Sequence, residues 1–211
     1  MIKINDIHTH CNNLSCQAIV SLSPTQFYKT SPRLCSIGIH PWESNSVKQK
    51  ELLLLQELST HPFVVAIGEC GIDRMKGADI KLQTDLFKQH IILSEKVKKP
   101  LIIHAVKSAD LILALHQKYK PTQTWIIHGY RGNATTAQQY IRRGIELSYG
   151  EKFNPEAVVA TPMDMLWIES DESSVDINQI YNSVAQAANI EAEELKKLIE
   201  KRAKGIFLGC D

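Results

Sequence analysis

The sequence lacks a cysteine framework. Cys11, Cys16, Cys35, Cys70 and Cys210 are odd in number and contain no Cys-x-x-Cys pair. That argues against a zinc ribbon or a disulfide-built scaffold and suits a reducing compartment. Each cysteine reads as a small, partly buried residue, with Cys70 singled out because it follows Glu69. Net charge is also missing: 24 Lys and Arg face 23 Asp and Glu, a formal +1. No field over the whole protein would gather nucleic acid, so any phosphate site has to be local. Long apolar runs are absent. Leu52–Leu55 is the longest leucine run, four residues against the roughly 20 that cross a membrane. The opening MIKINDIHTH is broken by Lys3, Asp6 and two histidines and lacks the apolar core of a signal peptide. The expectation is a cytoplasmic protein with no membrane partner. There is no Gly/Ser linker, internal repeat or low-complexity tract, so residues 1–211 read as one domain.

What is present is an alternation of strand and helix. β-Branched runs at Lys3–Ile7, Ala18–Leu22, Leu34–Ile39, Val64–Gly68, Leu101–Ile103, Thr124–Ile127, Ile145–Ser148 and Met165–Glu169 predict eight strands. Helical patterns fall at Ser46–Leu58, Asp79–Lys98, Ser108–Lys118, Asn133–Arg143, Pro155–Ala160, Ile177–Ala188 and Ala192–Lys204. Nearly continuous apolar strands suit a parallel sheet covered on both faces. The pattern predicts an α/β fold, a (β/α)8 TIM-type barrel, with an open doubly wound sheet as the alternative. Such barrels take about 250 residues, and the shortfall lies at the front. The segments after the first and second strands are too short for full crossover helices. Those helices are expected to be shortened or missing, leaving one flank bare or covered by a partner chain.

Polar residues gather at strand ends. The first strand runs into Asp6, His8 and His10, and the third ends at His40 in SIGIHPW. The fourth ends at Glu69 in IGECGID, the fifth at His104 in PLIIHAV, the sixth at His128 in TWIIHGY and the eighth at Asp171 in MLWIESD. His8 and His10 share a strand face. In parallel strands all these side chains would meet at the C-terminal mouth, where barrel enzymes place their chemistry. A lone histidine after an apolar strand is ordinary packing. Five of the eight histidines in one slot, with two carboxylates, are hard to satisfy without a cation. His61, His90 and His116 read as ordinary surface or helix residues. Six ligands exceed the three or four of one catalytic zinc. The economical assignment puts His8, His10 and Asp171 on one ion and His104 and His128 on another, with Glu69 bridging. Asp6 reads either as a carboxylate orienting His8 or His10 or as a hydrogen-bonded carboxylate of the barrel floor.

These pieces, in this order, resemble the TatD-like metal-dependent hydrolases, also called TatD-related deoxyribonucleases. The matching segments are DIHTH (Asp6–His10), GIHPW (Gly38–Trp42), IGECGID (Ile67–Asp73), QTDLFKQH (Gln83–His90), PLIIHAV, IIHGYRG (Ile127–Gly132), GIELSYG (Gly144–Gly150) and WIESD (Trp167–Asp171). The resemblance implies a barrel with a dinuclear site and carries over His8, His10, Glu69, His104, His128 and Asp171 as ligands. It implies that His40 sits near a substrate phosphate rather than on the metals, and that the activity is metal-dependent cleavage of DNA. The chain departs from the family pattern at Val106, where an arginine is usual, at Arg74, where an aromatic is usual, and after Asp171.

Metal-activated water, its pKa lowered toward about 7, would attack a phosphodiester clamped by two cations. Asp171, Glu69 and His40 are the candidate catalytic residues, with Asp171 taking the proton from the water. His40, Lys107, Arg131 and Arg74 are the candidates for holding phosphate. Trp42, Tyr130 and Tyr149 are candidates for stacking a base. Four histidine ligands favour Zn or Mn, whereas the family implies Mg, so the cofactor expected is two divalent ions, Zn, Mn or Mg. The substrate expected is DNA, at single-stranded ends, for a monomer or weak homo-oligomer. The alternatives are a hydrolase of the same superfamily acting on a small phosphoester or C–N bond, and a metal-binding scaffold without turnover.

Overall fold

Each predicted strand has a counterpart in the structure, a computed structural model that describes residues 3–11, 17–29 and 33–209. The strands are β1 (Asp6–Thr9), β2 (Ala18–Leu22), β3 (Cys35–Ile37), β4 (Val64–Asp73), β5 (Leu101–Val106), β6 (Trp125–Ile127), β7 (Glu146–Tyr149) and β8 (Leu166–Ile168). The helices are α1 (Gln49–Leu58), α2 (Ile80–Val97), α3 (Ala109–Tyr119), α4 (Ala134–Ile141), α5 (Pro155–Val159), α6 (Ile177–Ala188) and α7 (Ala192–Leu208). The strands are parallel and follow chain order, the topology of a (β/α)8 barrel. Among the described residues no helix follows β1, and only a short turn of helix, Phe27–Lys29, follows β2. The bare flank expected from this is not found: every residue of β2 and β3 is buried. Cys16 and Cys210 lie outside the described residues.

The described residues fall into two compact units, 1–20 with 126–211, and 21–125. In the first, β1 pairs with β2 (Asp6 opposite Ala18), β6 with β7 (Ile126 opposite Glu146) and β7 with β8 (Ser148 opposite Trp167). Thr9 also bridges to Asp171. Its core is closed by Trp167, Tyr149, Tyr140, Tyr181 and the inner faces of α6 and α7. Helix starts follow local side-chain chemistry. Asn133, Asn154 and Asp176 each accept a backbone N–H of the first turn of the helix they precede, stabilising it by about 1 kcal/mol per cap. Asn189 ends α6 in a left-handed conformation, which asparagine tolerates better than most residues.

In the second unit β3 pairs with β4 and β4 with β5. β4 runs on to Asp73, past the end expected at Gly68. Two glycines make this extension possible. Gly71 has φ +139°, and a Cβ there would fall on the His104 carbonyl oxygen of β5. A Cβ at Gly38 would lie 2.5 Å from the Glu69 carbonyl oxygen. Backbones approach too closely for any side chain, so Glu69 and Asp73 both ride on β4. Asp79 caps α2 through the Leu82 N–H. The helix lays Leu86, Phe87 and Ile91 into the core, with Gln83 and His90 buried among them.

Candidate metal centre

In the first unit β1 delivers His8, fully buried, and then His10, exposed one residue past the strand. The His8 ring stands 5.1 Å from that of His10 and 4.2 Å from that of His128. Asp171 follows β8 with φ 54°. Its N–H donates to the His8 carbonyl at 2.9 Å and its carbonyl accepts from the His10 N–H at 3.0 Å. Two backbone bonds therefore hold a left-handed residue that aims its carboxylate at the histidines. Oδ1 lies 3.8 Å from His8 Nε2 and 3.7 Å from His10 Nε2. His8, His128 and Asp171 each offer one ligand atom, all within 4.8 Å of one another. Arg131, 59% exposed, brings Nη2 to 3.9 Å from Asp171 Oδ2.

Two buried carboxylates back this cluster. Glu169 Oε1 accepts the Gly129 N–H at 2.6 Å and meets His128 Nδ1 at 3.4 Å. Burial raises the Glu169 carboxyl, but the hydrogen bond and charge of His128, with His8 behind it, hold it below the usual carboxylate range. Of the two readings of Asp6, its bonds fit the hydrogen-bonded structural carboxylate: Oδ1 accepts the backbone N–H of His8 and of Ser170, and Oδ2 the Ser170 hydroxyl. It ties the end of β1 to the end of β8. Burial pushes its carboxyl up to about 7 against those bonds.

In the second unit the ends of β3, β4 and β5 bring His40, Glu69 and His104 together. Glu69 Oε1 is 3.0 Å from His40 Nε2 and 2.9 Å from His104 Nδ1, and those two nitrogens are 3.3 Å apart. These separations suit ligands about 2.0–2.2 Å from one ion. His104 Nε2 faces Asp73 Oδ2 at 3.2 Å. Asp73 also accepts the Trp42 indole N–H at 2.7 Å and the N–H groups of Met75 and Lys76. Burial works against this carboxylate, but these donors hold its carboxyl below the ordinary range.

Other expected residues are placed less centrally. Arg74 makes two hydrogen bonds to Asp110, at 2.8 and 2.7 Å, and one to the Lys107 carbonyl, so its charge is already matched. Lys107 is exposed, with φ 50°. Tyr130 and Tyr149 are buried, their hydroxyls given to Asn133 and Ala157 carbonyls. They are packing residues, which leaves Trp42, 43% exposed with Lys76 Nζ 3.4 Å over its ring, as the stacking candidate. Cys70 is buried against the Ile102 carbonyl, and burial, with Glu69 nearby, pushes its thiol well up. It is a packed residue.

Sequence reasoning missed Asp73, Glu169, Gln83 and His90. His90 is not a surface residue: fully buried, it accepts the Ile39 N–H at 3.0 Å, next to His40. Burial pulls its pKa down to about 4, so the ring is neutral and accepts. Gln83 receives the Asp73 N–H and donates to the Asp73, Lys76 and Ala78 carbonyls. The two lie seven residues apart, two turns along one helix face. That spacing within QTDLFKQH was the available clue.

A parallel barrel with clustered imidazoles and carboxylates at its strand ends defines a metal-dependent hydrolase. A model of the TatD related DNase family matches residues 7–208, and the chain belongs to that family. It is 28% identical over 195 residues to YabD of Bacillus subtilis, an uncharacterized metal-dependent hydrolase, covering 82% of this chain and 76% of that protein. An uncharacterized metal-dependent hydrolase of Buchnera aphidicola is 33% identical over 147 residues, 65% of this chain and 55% of that protein. A 3'-5' ssDNA/RNA exonuclease TatD of Erwinia amylovora is 22% identical over 145 residues, 64% of this chain and 56% of that protein. Among solved structures, YjjV of Escherichia coli, a TatD homologue, superimposes with a TM-score of 0.80 at 16% identity, covering 98% of each chain. That likeness bears on the fold, and it agrees with the barrel topology. Among the described residues no helix is long and apolar enough to cross a membrane.

Proposed function

We propose that this chain is a divalent-metal-dependent phosphodiesterase that degrades DNA from single-stranded ends, with one cation held by each histidine cluster. The observation that carries this reading is the pair of three-ligand groups at the strand ends, His8 with His128 and Asp171, and His40 with Glu69 and His104. The donor chemistry fits: imidazole and carboxylate together suit Zn or Mn, and accept Mg less readily. Of the six expected ligands, His10 completes the first cluster through its approach to Asp171. Bound cations would polarise the phosphoryl group and acidify the attacking water.

The chain's own residues do the rest. Asp171 is a ligand whose second oxygen remains beside Arg131. It takes the proton from the attacking water and returns it to the leaving oxygen. Arg131, beside Asp171, holds the phosphate in the first unit; in the second, Lys107 is the phosphate candidate and Trp42 offers a ring for a base. His40 acts at the cation or on the phosphate beside it. Arg74, matched by Asp110, contributes little charge. That loss of a phosphate-binding cation is the specific observation favouring the second reading, a hydrolase of a small phosphoester or C–N bond.

An end-labelled single-stranded oligonucleotide incubated with Mg, Mn or Zn tests the proposal. Metal-dependent laddering from one end is expected. No cleavage, with turnover of a small phosphodiester or dipeptide, transfers the assignment to the second reading. Bound metal without any turnover marks a scaffold.

A further inference from the structure

Two motif residues have no part in the proposed chemistry: Asp73, which ends IGECGID, and Glu169, which opens the ESD of WIESD. Each is a buried carboxylate placed against a histidine at another strand end, Asp73 of β4 against His104 of β5 and Glu169 after β8 against His128 after β6, and they engage opposite ring nitrogens. Asp73 meets Nε2 of His104. Glu169 meets Nδ1 of His128. A neutral imidazole carries one proton, so whichever nitrogen donates leaves the other as the only site for a cation.

We propose that Asp73 and Glu169 are positioning residues that lock the two histidines in opposite tautomers, so that His104 presents Nδ1 and His128 presents Nε2 to the cations. This rests on the reading of both clusters as cation sites. Both carboxylates are held in place by donors other than the histidine. For Asp73 these are the Trp42 indole and the N–H groups of Met75 and Lys76. For Glu169 it is the Gly129 N–H. Each therefore stays put whether or not the imidazole donates to it, and selects the tautomer instead of following it. On the Nδ1 side of His104, Glu69 Oε1 and His40 Nε2 stand within 3.3 Å of that nitrogen. That is the side on which a cation would find three donors. With a cation there, Nδ1 and the Glu69 carboxylate would both serve it, and the ring proton would belong on Nε2, facing Asp73. A carboxylate behind a ligating imidazole also raises its basicity, and losing such a partner typically costs 10–100-fold in metal affinity.

The geometry further assigns a task to Trp42. Its indole N–H shares Asp73 Oδ2 with His104, so the GIHPW and IGECGID segments meet at one oxygen atom. Removing that donor while keeping the ring volume, as in Trp42→Phe, should leave Asp73 in place through its two backbone donors and weaken the lock only partly.

The test reads the protons directly. In zinc-loaded wild-type protein labelled with 15N-histidine, long-range proton–nitrogen correlation spectra are expected to show His104 protonated at Nε2 and His128 at Nδ1. The reverse assignment, or an even mixture at either ring, overturns the proposal. Two variants extend it. Asp73→Asn and Glu169→Gln keep the shape and the acceptor oxygen but lose the charge. Each should mix the tautomers of its own histidine only and weaken one of the two metal sites about 10–100-fold, measured by competition with a chelating dye. Unchanged affinity in both variants, with unchanged spectra, also overturns it. If either variant fails to fold, the wild-type spectra still decide. The tautomers and the cleavage are separate readouts. Correct tautomers in a protein that cleaves no oligonucleotide sink the nuclease reading and leave this inference standing. Wrong tautomers in a protein that cleaves sink this inference alone.

Discussion

The cluster around His8 and the cluster around His104 are held by different kinds of support. In the first, the supporting groups sit on or beside strands and are shut away from water. Glu169 is fully buried, Asp6 ties the end of β1 to Ser170, and the left-handed Asp171 is fixed by two backbone bonds to β1. In the second, Asp73 is fixed by the turn that follows β4 and by a tryptophan that is 43% exposed. That turn is in turn gripped by Gln83, while His90 grips the backbone before His40. Both sets of ligands end strands, but the second set's support runs back through the turn after β4 to the buried Gln83 and His90 of α2. Its exposed part, Trp42 and that turn, is easier to alter without unfolding the protein, so the second cluster is where affinity and substrate preference should be tunable.

The largest expected effect lies in the cluster around His8. Asp171→Asn should lower oligonucleotide cleavage by about 10²–10⁴-fold, the range for loss of a general base. The loss should fall on kcat more than on bound metal, as measured by cleavage rate alongside metal content. Full activity would remove Asp171 from the chemistry.

Next comes the helix-borne support. His90→Gln replaces a buried acceptor of the Ile39 N–H and should destabilise the protein by about 1–3 kcal/mol at neutral pH, read as a lower urea midpoint. The pH dependence follows from the lowered pKa, about 4 in the fold against about 6.5 in the unfolded chain. Between those values the unfolded chain takes up a proton that the folded His90 refuses. Wild-type stability should therefore fall as pH drops from about 6.5 toward 4, and His90→Gln should show a shallower slope over that window. An equal slope would mean that His90 is not buried as neutral imidazole.

The smallest effect is at the rim. Asp110→Ala frees the Arg74 guanidinium from its two bonds and should change stability by less than about 1 kcal/mol. The freed cation should lower KM for an oligonucleotide and steepen its salt dependence. A KM that stays fixed would place Arg74 outside the path of the substrate.

Much of this was legible in the residues. The β-branched runs marked all the strands because parallel strands buried on both faces leave little room for polar residues, and the exceptions at their ends marked the site. The errors cluster where backbone geometry overrides composition. The β-branched run ends at Gly68, whereas β4 goes on to pair with β5 as far as Asp73 because Gly71 lets the two backbones touch. Asp6 reads by its alternation with His8 as either an imidazole partner or a structural carboxylate, and its bonds to backbone N–H groups fit the second. His90 sits in a helix like any other histidine, and nothing in its neighbours says which strand end it reaches. Asp73 and Glu169 were visible inside their motifs. Their task depends on which ring nitrogen they face, a distinction of a few ångströms that no spacing rule carries.

The most direct test of the account is metal content per chain, measured by elemental analysis after loading and exhaustive dialysis, for wild type, His8→Asn and His104→Asn. Two divalent ions are expected in wild type and one in each variant. A wild type that retains none, or variants that each retain both, would contradict it.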